Sequence, residues 1–332
     1  MNDENIEMET RNMNDKCDTN SHTEGVSSVL RDNIYGCDLM LCLFLTALQS
    51  YRVDTCLRPF PSRYIHDSHK DVDSLRNLCD KIPSLETISK YPRMCSVEIL
   101  ELLKWLLCQK DHLSLRKVNF NKVKVPTTIK KCYQPYYTYE VIYPSKTEEA
   151  WQKRRNDRNS FLAYHGSQLD NFYSILKVGL QHNLSGDKAL LFGKGIYVTS
   201  EITISMSYAP FGLSWKNSML GNKISIIAVC EVINNPEKVK CKAEKYTQRT
   251  IHGDIPDKYF VVTDSDMIRL KYLFVYKEST VAVIESWLVR NLMLVLICLY
   301  VFILFCIGFF QGPTWRKVQR YLYNELLSDV LT

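Results

Sequence analysis

A histidine and a tyrosine, each next to glycine, stand at the ends of two short apolar strand patterns. The first pattern, residues 161–164, leads directly into His165 and Gly166. Further along the chain, a turn with two glycines leads into a second strand pattern, residues 196–199, which carries Tyr197. Glycine permits close approach of a backbone because it has no side chain. The two stretches therefore predict a cleft in which a flat ligand lies against open backbone.

These stretches resemble the signature of the ADP-ribosyltransferases of the poly(ADP-ribose) polymerase superfamily. The family has a strand ending in His-Gly-Ser and then a Gly-x-Gly-Ile/Thr-Tyr turn, which match residues 165–167 and 193–197. The third catalytic position of the family lies a few residues before a Lys-Tyr-Leu run, found here at 271–273. The resemblance implies a catalytic triad of His165, Tyr197 and Tyr259.

The residue at the third position indicates the branch of the family. Polymerising members carry glutamate there, whereas this chain has Tyr259, so it resembles the mono-ADP-ribosylating branch. Further matches at 48–51, 57–61 and 253–256, with a hydrophobic C-terminus, resemble the tail-anchored branch of the endoplasmic reticulum. The resemblance covers roughly residues 34–310.

The resemblance implies an enzyme that uses NAD as an ADP-ribose donor and needs no metal. One ADP-ribose would pass to protein acceptors, including the chain itself, with release of nicotinamide. Asp, Glu, Lys, Ser and Cys all remain open as the acceptor side chain. The alternative is a weakly active or inactive membrane scaffold that binds NAD or ADP-ribose, and the missing glutamate favours it.

Four further residues are implied to bind the donor: Gly166, Ser167, Ser205 and Tyr208. The backbone of Gly166 can bond the nicotinamide carboxamide, and the hydroxyl of Ser205 can add a second contact. Tyr208 can stack on the pyridine ring opposite Tyr197.

The other end of the donor has its own implied residues. His165 is expected to bond a hydroxyl of the adenosine ribose, assisted by Ser167, and residues 182–192 form the expected donor loop.

Composition and motifs exclude several other functions. The net charge of +6 is mild and its basic residues are scattered, so nucleic-acid binding is not indicated. The chain has neither a GxGxxG fingerprint after a strand nor a Walker A motif. Twelve cysteines include no CxxC pair, which favours free thiols in a reducing compartment over disulfides or zinc.

Helical patterns come early in the chain and strand patterns late. Residues 39–48 are apolar on nearly all sides, as in a buried helix, and Asp73 and Ser96 are predicted N-caps of two further helices. The expected fold is α+β: an N-terminal helical subdomain packed on a mostly antiparallel split-sheet ADP-ribosyltransferase domain, with a single C-terminal transmembrane helix. The helical subdomain can be either a regulatory lid or a scaffold that covers sheet edges.

The predicted domains divide the chain into six segments. They are a disordered leader at 1–33, the helical subdomain at 34–115, the catalytic domain at 116–280, a juxtamembrane linker at 281–291, a transmembrane helix at 292–310 and a short luminal tail at 311–332.

The C-terminal pattern predicts the location of the protein. Residues 292–310 have the length that spans a hydrocarbon core of about 30 Å, with tryptophan and basic residues on both flanks; a buried core helix is the alternative. We expect a single-pass protein of the endoplasmic reticulum membrane and nuclear envelope with a cytosolic catalytic domain. Stress-signalling kinases, which would link the chain to the unfolded protein response, and nuclear transport factors are partners implied by resemblance only.

Overall fold

The computed structural model describes most of the chain. The described residues are 3–109, 111–126, 129–182, 193–241, 258–278, 291–312, 315–317 and 320–321, and side chains are described from residue 23 onward, excluding 309–311. Two compact units are present, Met1–Lys277 and Glu278–Thr332.

The first part of the larger unit is helical, as the sequence predicts. Its helices are α1 (Asp3–Gln49), α2 (Val53–Cys56), α3 (Val72–Cys79), α4 (Leu85–Lys90) and α5 (Val97–Leu107), with a small ladder of β1 (Ile65–His66) and β2 (His69–Lys70). Ser96 caps α5 by accepting from the Ile99 N–H, as predicted. The predicted cap of α3 is wrong by two residues: Asp71 accepts from the Ser74 N–H, and Asp73 lies in the first turn.

Helix α1 begins well before the predicted boundary of the helical subdomain. Residues 1–33 are predicted to be a disordered leader, but α1 starts at Asp3 and its two helical parts meet at the non-helical Asn33. Val26 and Leu30 are fully buried. This four-residue spacing places both side chains on one face of a helix, where they pack on the core. The prediction of disorder is therefore corrected at least for residues 23–33.

The second part of the larger unit is an antiparallel sheet with helices between its strands. The strands are β3 (Ser114–Val118), β4 (Tyr137–Ile142), β5 (Ser160–Gly166), β6 (Ile196–Thr199), β7 (Gly212–Leu213), β8 (Lys223–Ile233), β9 (Val239–Lys240), β10 (Tyr259–Val262) and β11 (Ile268–Lys277). The helices are α6 (Ser145–Arg155), α7 (Phe172–Val178) and α8 (Ile202–Ser207). The strand order is β3-β4-β11-β8-β5-β6-β10-β9, with β7 paired to β8. Every described strand pair is antiparallel, which confirms the α+β prediction.

Aromatic residues join the helical part to the sheet part. Phe44 of α1 is fully buried, and its ring lies 5.4 Å from that of Tyr173 in α7 and 6.1 Å from that of Trp105 in α5. These contacts belong to one continuous core. A second, smaller core includes Tyr164 and Phe274, under the part of the sheet that carries α8.

The smaller unit contains helix α9 (Leu292–Gln311), which has an apolar sequence. Its described side chains end at residue 308. Within the described part of the chain, no helix has the length and apolarity required of a membrane span.

Candidate active site

His165 is the next-to-last residue of strand β5, and its side chain contacts the neighbouring strand β6. The sequence predicts that the strand ends at residue 164, but pairing with β8 continues through Gly166. The Nδ1 atom of His165 is 3.0 Å from the carbonyl oxygen of Tyr197. Because a carbonyl only accepts, this contact assigns the proton to Nδ1 and leaves Nε2 as an acceptor. Burial lowers the pKa of His165, although the Tyr197 carbonyl acts in the opposite direction.

Tyr197 and Tyr259 lie on adjacent strands. In the antiparallel pair of β6 and β10, Tyr197 is opposite Val261, and Tyr259 is opposite Thr199. Residues two apart on a strand share a face, and so do directly opposed residues. The two tyrosines are therefore diagonal neighbours on the same face of the sheet. The Tyr197 hydroxyl donates to the carbonyl of Gly193 at 2.8 Å.

Gly166 and Ser205 are in direct contact. A Cβ atom built on Gly166 would lie 1.9 Å from the carbonyl oxygen of Ser205 in α8, so only glycine fits there. The side chain of Ser205 is 2 % exposed, and its Oγ has no hydrogen-bond partner among the described residues. A buried hydroxyl without a partner is costly in a protein interior. The Ser205 hydroxyl is such a group among the described residues, and the Ser205 backbone lies against Gly166.

Tyr208 contacts Ser205 through its backbone and is a neighbour of Tyr259. It follows α8 directly, and its N–H donates to the Ser205 carbonyl at 3.1 Å. Its side chain is 59 % exposed. Burial raises the pKa of Tyr259, and the neighbouring Tyr208 raises it further. The phenol of Tyr259 is therefore neutral at pH 7.

Ser167 is held by a residue that the sequence analysis did not identify. The side-chain amide of Asn171 donates to Ser167 Oγ at 2.8 Å, and Asn171 Oδ1 in turn accepts from Arg52 at 3.2 Å. The four-residue spacing of Ser167 and Asn171 is the signal that could have found the first contact. No sequence pattern links Arg52 to this region.

The structure describes only one residue of the predicted donor loop. Of the donor loop predicted at 182–192, only His182 is described, and its N–H and Nδ1 lie 3.2 and 3.0 Å from Ser265 Oγ. The rest of the loop lies outside the described residues.

The cysteines with described side chains are free thiols. In the same part of the chain, no three His, Cys, Asp or Glu side chains are grouped so as to hold a metal ion.

Two family models match the chain in regions that agree with this architecture. The ARTD15 N-terminal domain matches residues 28–107, which form the helical part. The poly(ADP-ribose) polymerase catalytic domain matches residues 123–250, which include His165 and Tyr197. The two matched regions thus correspond to the helical part and to the part of the sheet that carries His165 and Tyr197.

Two curated relatives match this chain over nearly their full length. The chain is 33 % identical over 305 residues to Protein mono-ADP-ribosyltransferase PARP16 of Homo sapiens, covering 85 % of this chain and 94 % of the relative. For the Mus musculus protein of the same name the identity is 32 % over 317 residues, covering 87 % and 95 %. Protein mono-ADP-ribosyltransferase PARP8 of Mus musculus is 22 % identical, covering 74 % of this chain and 32 % of its own. The chain belongs to the poly(ADP-ribose) polymerase family, among its mono-ADP-ribosyltransferases.

Proposed function

We propose that this chain transfers single ADP-ribose units from NAD to protein side chains, including its own, and releases nicotinamide. One observation carries the proposal. The three predicted catalytic residues come from strands β5, β6 and β10, which are consecutive in the sheet. His165 bonds the backbone of Tyr197, and Tyr197 and Tyr259 are diagonal neighbours. The proximity of these strands supports the proposal that three side chains from distant parts of the sequence act on one donor molecule.

The nicotinamide end of NAD is bound beside Gly166. The backbone of Gly166 bonds the carboxamide, and the buried hydroxyl of Ser205 gives it a further contact. In support, Ser205 Oγ lacks a partner in the described residues and its backbone lies against Gly166. Tyr197 and Tyr208 hold the pyridine ring between them, with about 0.5–1.5 kcal/mol from stacking beyond area burial.

The adenosine ribose is bound by His165 and Ser167. Nε2 of His165 accepts a hydrogen bond from a ribose hydroxyl, because the proton of the ring is already given to the Tyr197 carbonyl. Ser167 Oγ accepts from Asn171, so its own proton remains to donate to the ribose.

The reaction breaks the bond between the ribose C1 atom and the nicotinamide nitrogen. The bonding electrons leave with nicotinamide, and the transition state resembles an oxocarbenium ion, as in glycosidases. An acceptor nucleophile then bonds C1 and loses its proton. A neutral phenol at Tyr259 packs on and bonds the ribose, but it cannot deprotonate an incoming ADP-ribose hydroxyl as a carboxylate can. Transfer therefore stops after one unit per acceptor.

Tyr259 also favours a second candidate, a scaffold that binds NAD or ADP-ribose with little turnover. Without a carboxylate at this position, the developing charge must be stabilised by phosphates and fixed dipoles. NAD affinity measured beside the transfer rate separates the two candidates, because a scaffold binds NAD but transfers nothing.

The proposal includes anchoring in the endoplasmic reticulum membrane and nuclear envelope, with the catalytic domain in the cytosol. Residues 292–310 carry no charged side chain, and about 20 apolar residues suffice to cross a bilayer. From Leu292 onward, large apolar side chains of α9 are exposed, such as Leu294 at 56 % and Phe302 at 63 %. A helix that is apolar on all sides requires an apolar environment. Stress-signalling kinases and nuclear transport factors at that membrane are proposed acceptors.

Self-labelling tests the proposed activity. Full-length protein in microsomes is incubated with labelled NAD, and the modified protein is examined by mass spectrometry. We expect the mass to rise by single ADP-ribose units, with nicotinamide released in equal amount. Absence of transfer to the chain or to microsomal proteins, with NAD binding intact, would support the scaffold instead.

A further inference from the structure

Arg52, in the helical part of the chain, contacts the segment that follows His165, Gly166 and Ser167. Its Nη2 atom lies 2.8 Å from Gln168 Oε1, 3.1 Å from both carboxylate oxygens of Asp170 and 3.2 Å from Asn171 Oδ1. One guanidinium nitrogen thus meets side chains at three of the four positions after Ser167. Because arginine presents several donors in a rigid plane, it can fix the relative positions of these acceptors.

Asn171 connects Arg52 to Ser167 through two hydrogen bonds. Its Oδ1 atom accepts from Arg52 at 3.2 Å and from the Cys56 thiol at 3.4 Å. Both partners are donors, so this end of the side chain is the oxygen and the other end is the NH₂ group. That group donates to Ser167 Oγ at 2.8 Å. Because a lone pair of Ser167 Oγ accepts this hydrogen bond, the hydroxyl proton of Ser167 points away from Asn171.

Charge and burial make the contact costly to remove. The side chain of Arg52 is 33 % exposed and that of Asp170 is 17 % exposed. Asp170 Oδ2 also accepts from the Ser50 hydroxyl at 2.7 Å. Burial lowers the pKa of Arg52, but Asp170 outweighs this effect and the pKa is raised. The guanidinium is therefore charged at every physiological pH.

We propose that Arg52 is a positioning residue for the adenosine-ribose end of the donor site, acting through Asn171 on Ser167. The inference rests on the proposed function, because it requires that Ser167 binds the ribose. The helical part then contributes a defined contact to donor binding.

The test compares two ligands that occupy different ends of the site. In full-length protein, inhibition of self-labelling by ADP-ribose reports the ribose end, and inhibition by nicotinamide reports the other end. For Arg52→Ala and Asn171→Ala we expect ADP-ribose to bind roughly threefold to tenfold more weakly, the range of one lost hydrogen bond. KM for NAD rises by a similar factor, kcat changes less, and the nicotinamide affinity stays within about twofold.

Arg76→Ala is the matched control. Arg76 belongs to the same helical part, where its Nε and Nη2 donate to the Leu48 carbonyl at 3.2 and 3.0 Å. It has no hydrogen bond or ion pair with residues 167–171 among the described residues. This variant should lose stability without selective loss of ADP-ribose affinity. Arg52→Lys keeps the charge but not the planar group, and we expect partial recovery.

A double substitution tests whether Arg52 affects ADP-ribose binding through Ser167. In a Ser167→Ala background, Arg52→Ala should cause no further loss of ADP-ribose affinity, because the two residues act through one contact. Equal weakening of both ligands, unchanged ADP-ribose affinity in both single variants, or additive losses in the double variant would overturn the proposal. If the unaltered protein neither binds ADP-ribose nor labels itself, the proposed function fails and this inference fails with it.

Discussion

His165 contacts the protein through one ring nitrogen and offers the other to a ligand. Nδ1 bonds the Tyr197 carbonyl at 3.0 Å, and Nε2 forms no hydrogen bond with the described residues. Such a histidine contributes little to the fold through its acceptor nitrogen. The same division applies to Ser205, whose backbone is packed against Gly166 while its hydroxyl lacks a described partner.

Substitution of His165 or Tyr197 should therefore separate activity from stability. We expect His165→Ala and Tyr197→Ala each to reduce self-labelling by about 100-fold or more, because donor positioning is lost. The melting temperature should change by only about 2–4 °C. The measurements are labelling with NAD and thermal unfolding of the same preparations.

His112→Ala is the control for this pair. His112 is exposed, and among the described residues its side chain contacts Lys177, at 3.2 Å. The variant should label normally. A large fall in the melting temperature of His165→Ala would show instead that the residue mainly stabilises the core.

At this scale, the sequence predicts residues within one motif and misses contacts between distant ones. His165, Gly166 and Ser167 are consecutive, so one strand pattern identifies all three. Arg52 meets Asp170 across 118 positions of the chain, and no periodicity records that contact. The neighbouring positions of Tyr197 and Tyr259 depend in the same way on how β10 pairs with β6.

The approach of helix α8 to strand β5 depends on a missing side chain. The carbonyl of Ser205 occupies the position where a Cβ of residue 166 would lie, at 1.9 Å. Gly166→Ala should separate α8 from β5, destabilise the fold by about 1–3 kcal/mol and abolish nicotinamide binding. Denaturant unfolding and nicotinamide inhibition measure the two effects.

Gly25→Ala is the matched control for the helix contact. Gly25 lies within α1, and a Cβ there meets nothing within 4 Å. Alanine is favoured over glycine inside a helix by about 0.5–1 kcal/mol. This variant should be slightly more stable and fully active. If Gly166→Ala behaved likewise, the close contact with Ser205 would be disproved.

Helix α1 also carries a buried acid that makes stability depend on pH. Asp38 is fully buried and accepts from the Ser218 hydroxyl at 2.7 Å and the Met219 N–H at 3.1 Å. Burial raises its pKa from 3.8 to about 6; hydrogen bonds from residues 218–220 oppose the shift, and the charge of Glu86 adds to it. Between these two pH values the folded state binds more protons than the unfolded state, so this residue lowers stability as pH rises from about 4 to about 6.

Asp38→Asn should remove this dependence. Asparagine keeps an acceptor for Ser218 and has no charge. The unfolding free energy of the variant, relative to that of the unaltered protein, should therefore increase by about 2–3 kcal/mol as pH rises from 4 to 7. Denaturant unfolding across that range measures the difference. Asp73→Asn, on the exposed surface of α3, is the control for replacing an aspartate of the helical part by asparagine. A constant difference at all pH values for Asp38→Asn would contradict the assignment.

Elements were predicted best where a local pattern is complete. The strand Ile196–Thr199 lies where the sequence predicts it, and Gly179 ends α7 with a positive φ of 89°, a conformation that glycine adopts without strain. The start of α1 was missed because Val26 and Leu30 are too few apolar residues to stand out in a polar stretch. The order of the strands could not be predicted, because it depends on pairing between distant segments.

For the whole molecule, the proposed anchor and the proposed enzyme are separable. The proposed catalytic residues all lie in the first compact unit, and α9 lies in the second. Deletion of residues 292–332 should release the protein from membranes into the soluble fraction with self-labelling retained. Fractionation after alkaline extraction, followed by labelling of both fractions, is the measurement. Retention of the shortened chain in the membrane fraction would show that residues 292–310 are not the anchor.

The pairing of strand β10 with strand β6 fixes the face of the sheet on which Tyr259 lies. A shift of one residue in this pairing would turn Tyr259 to the opposite face. Insertion or deletion of a single residue inside β10 would therefore separate Tyr259 from Tyr197, even though the two strands could still pair with each other.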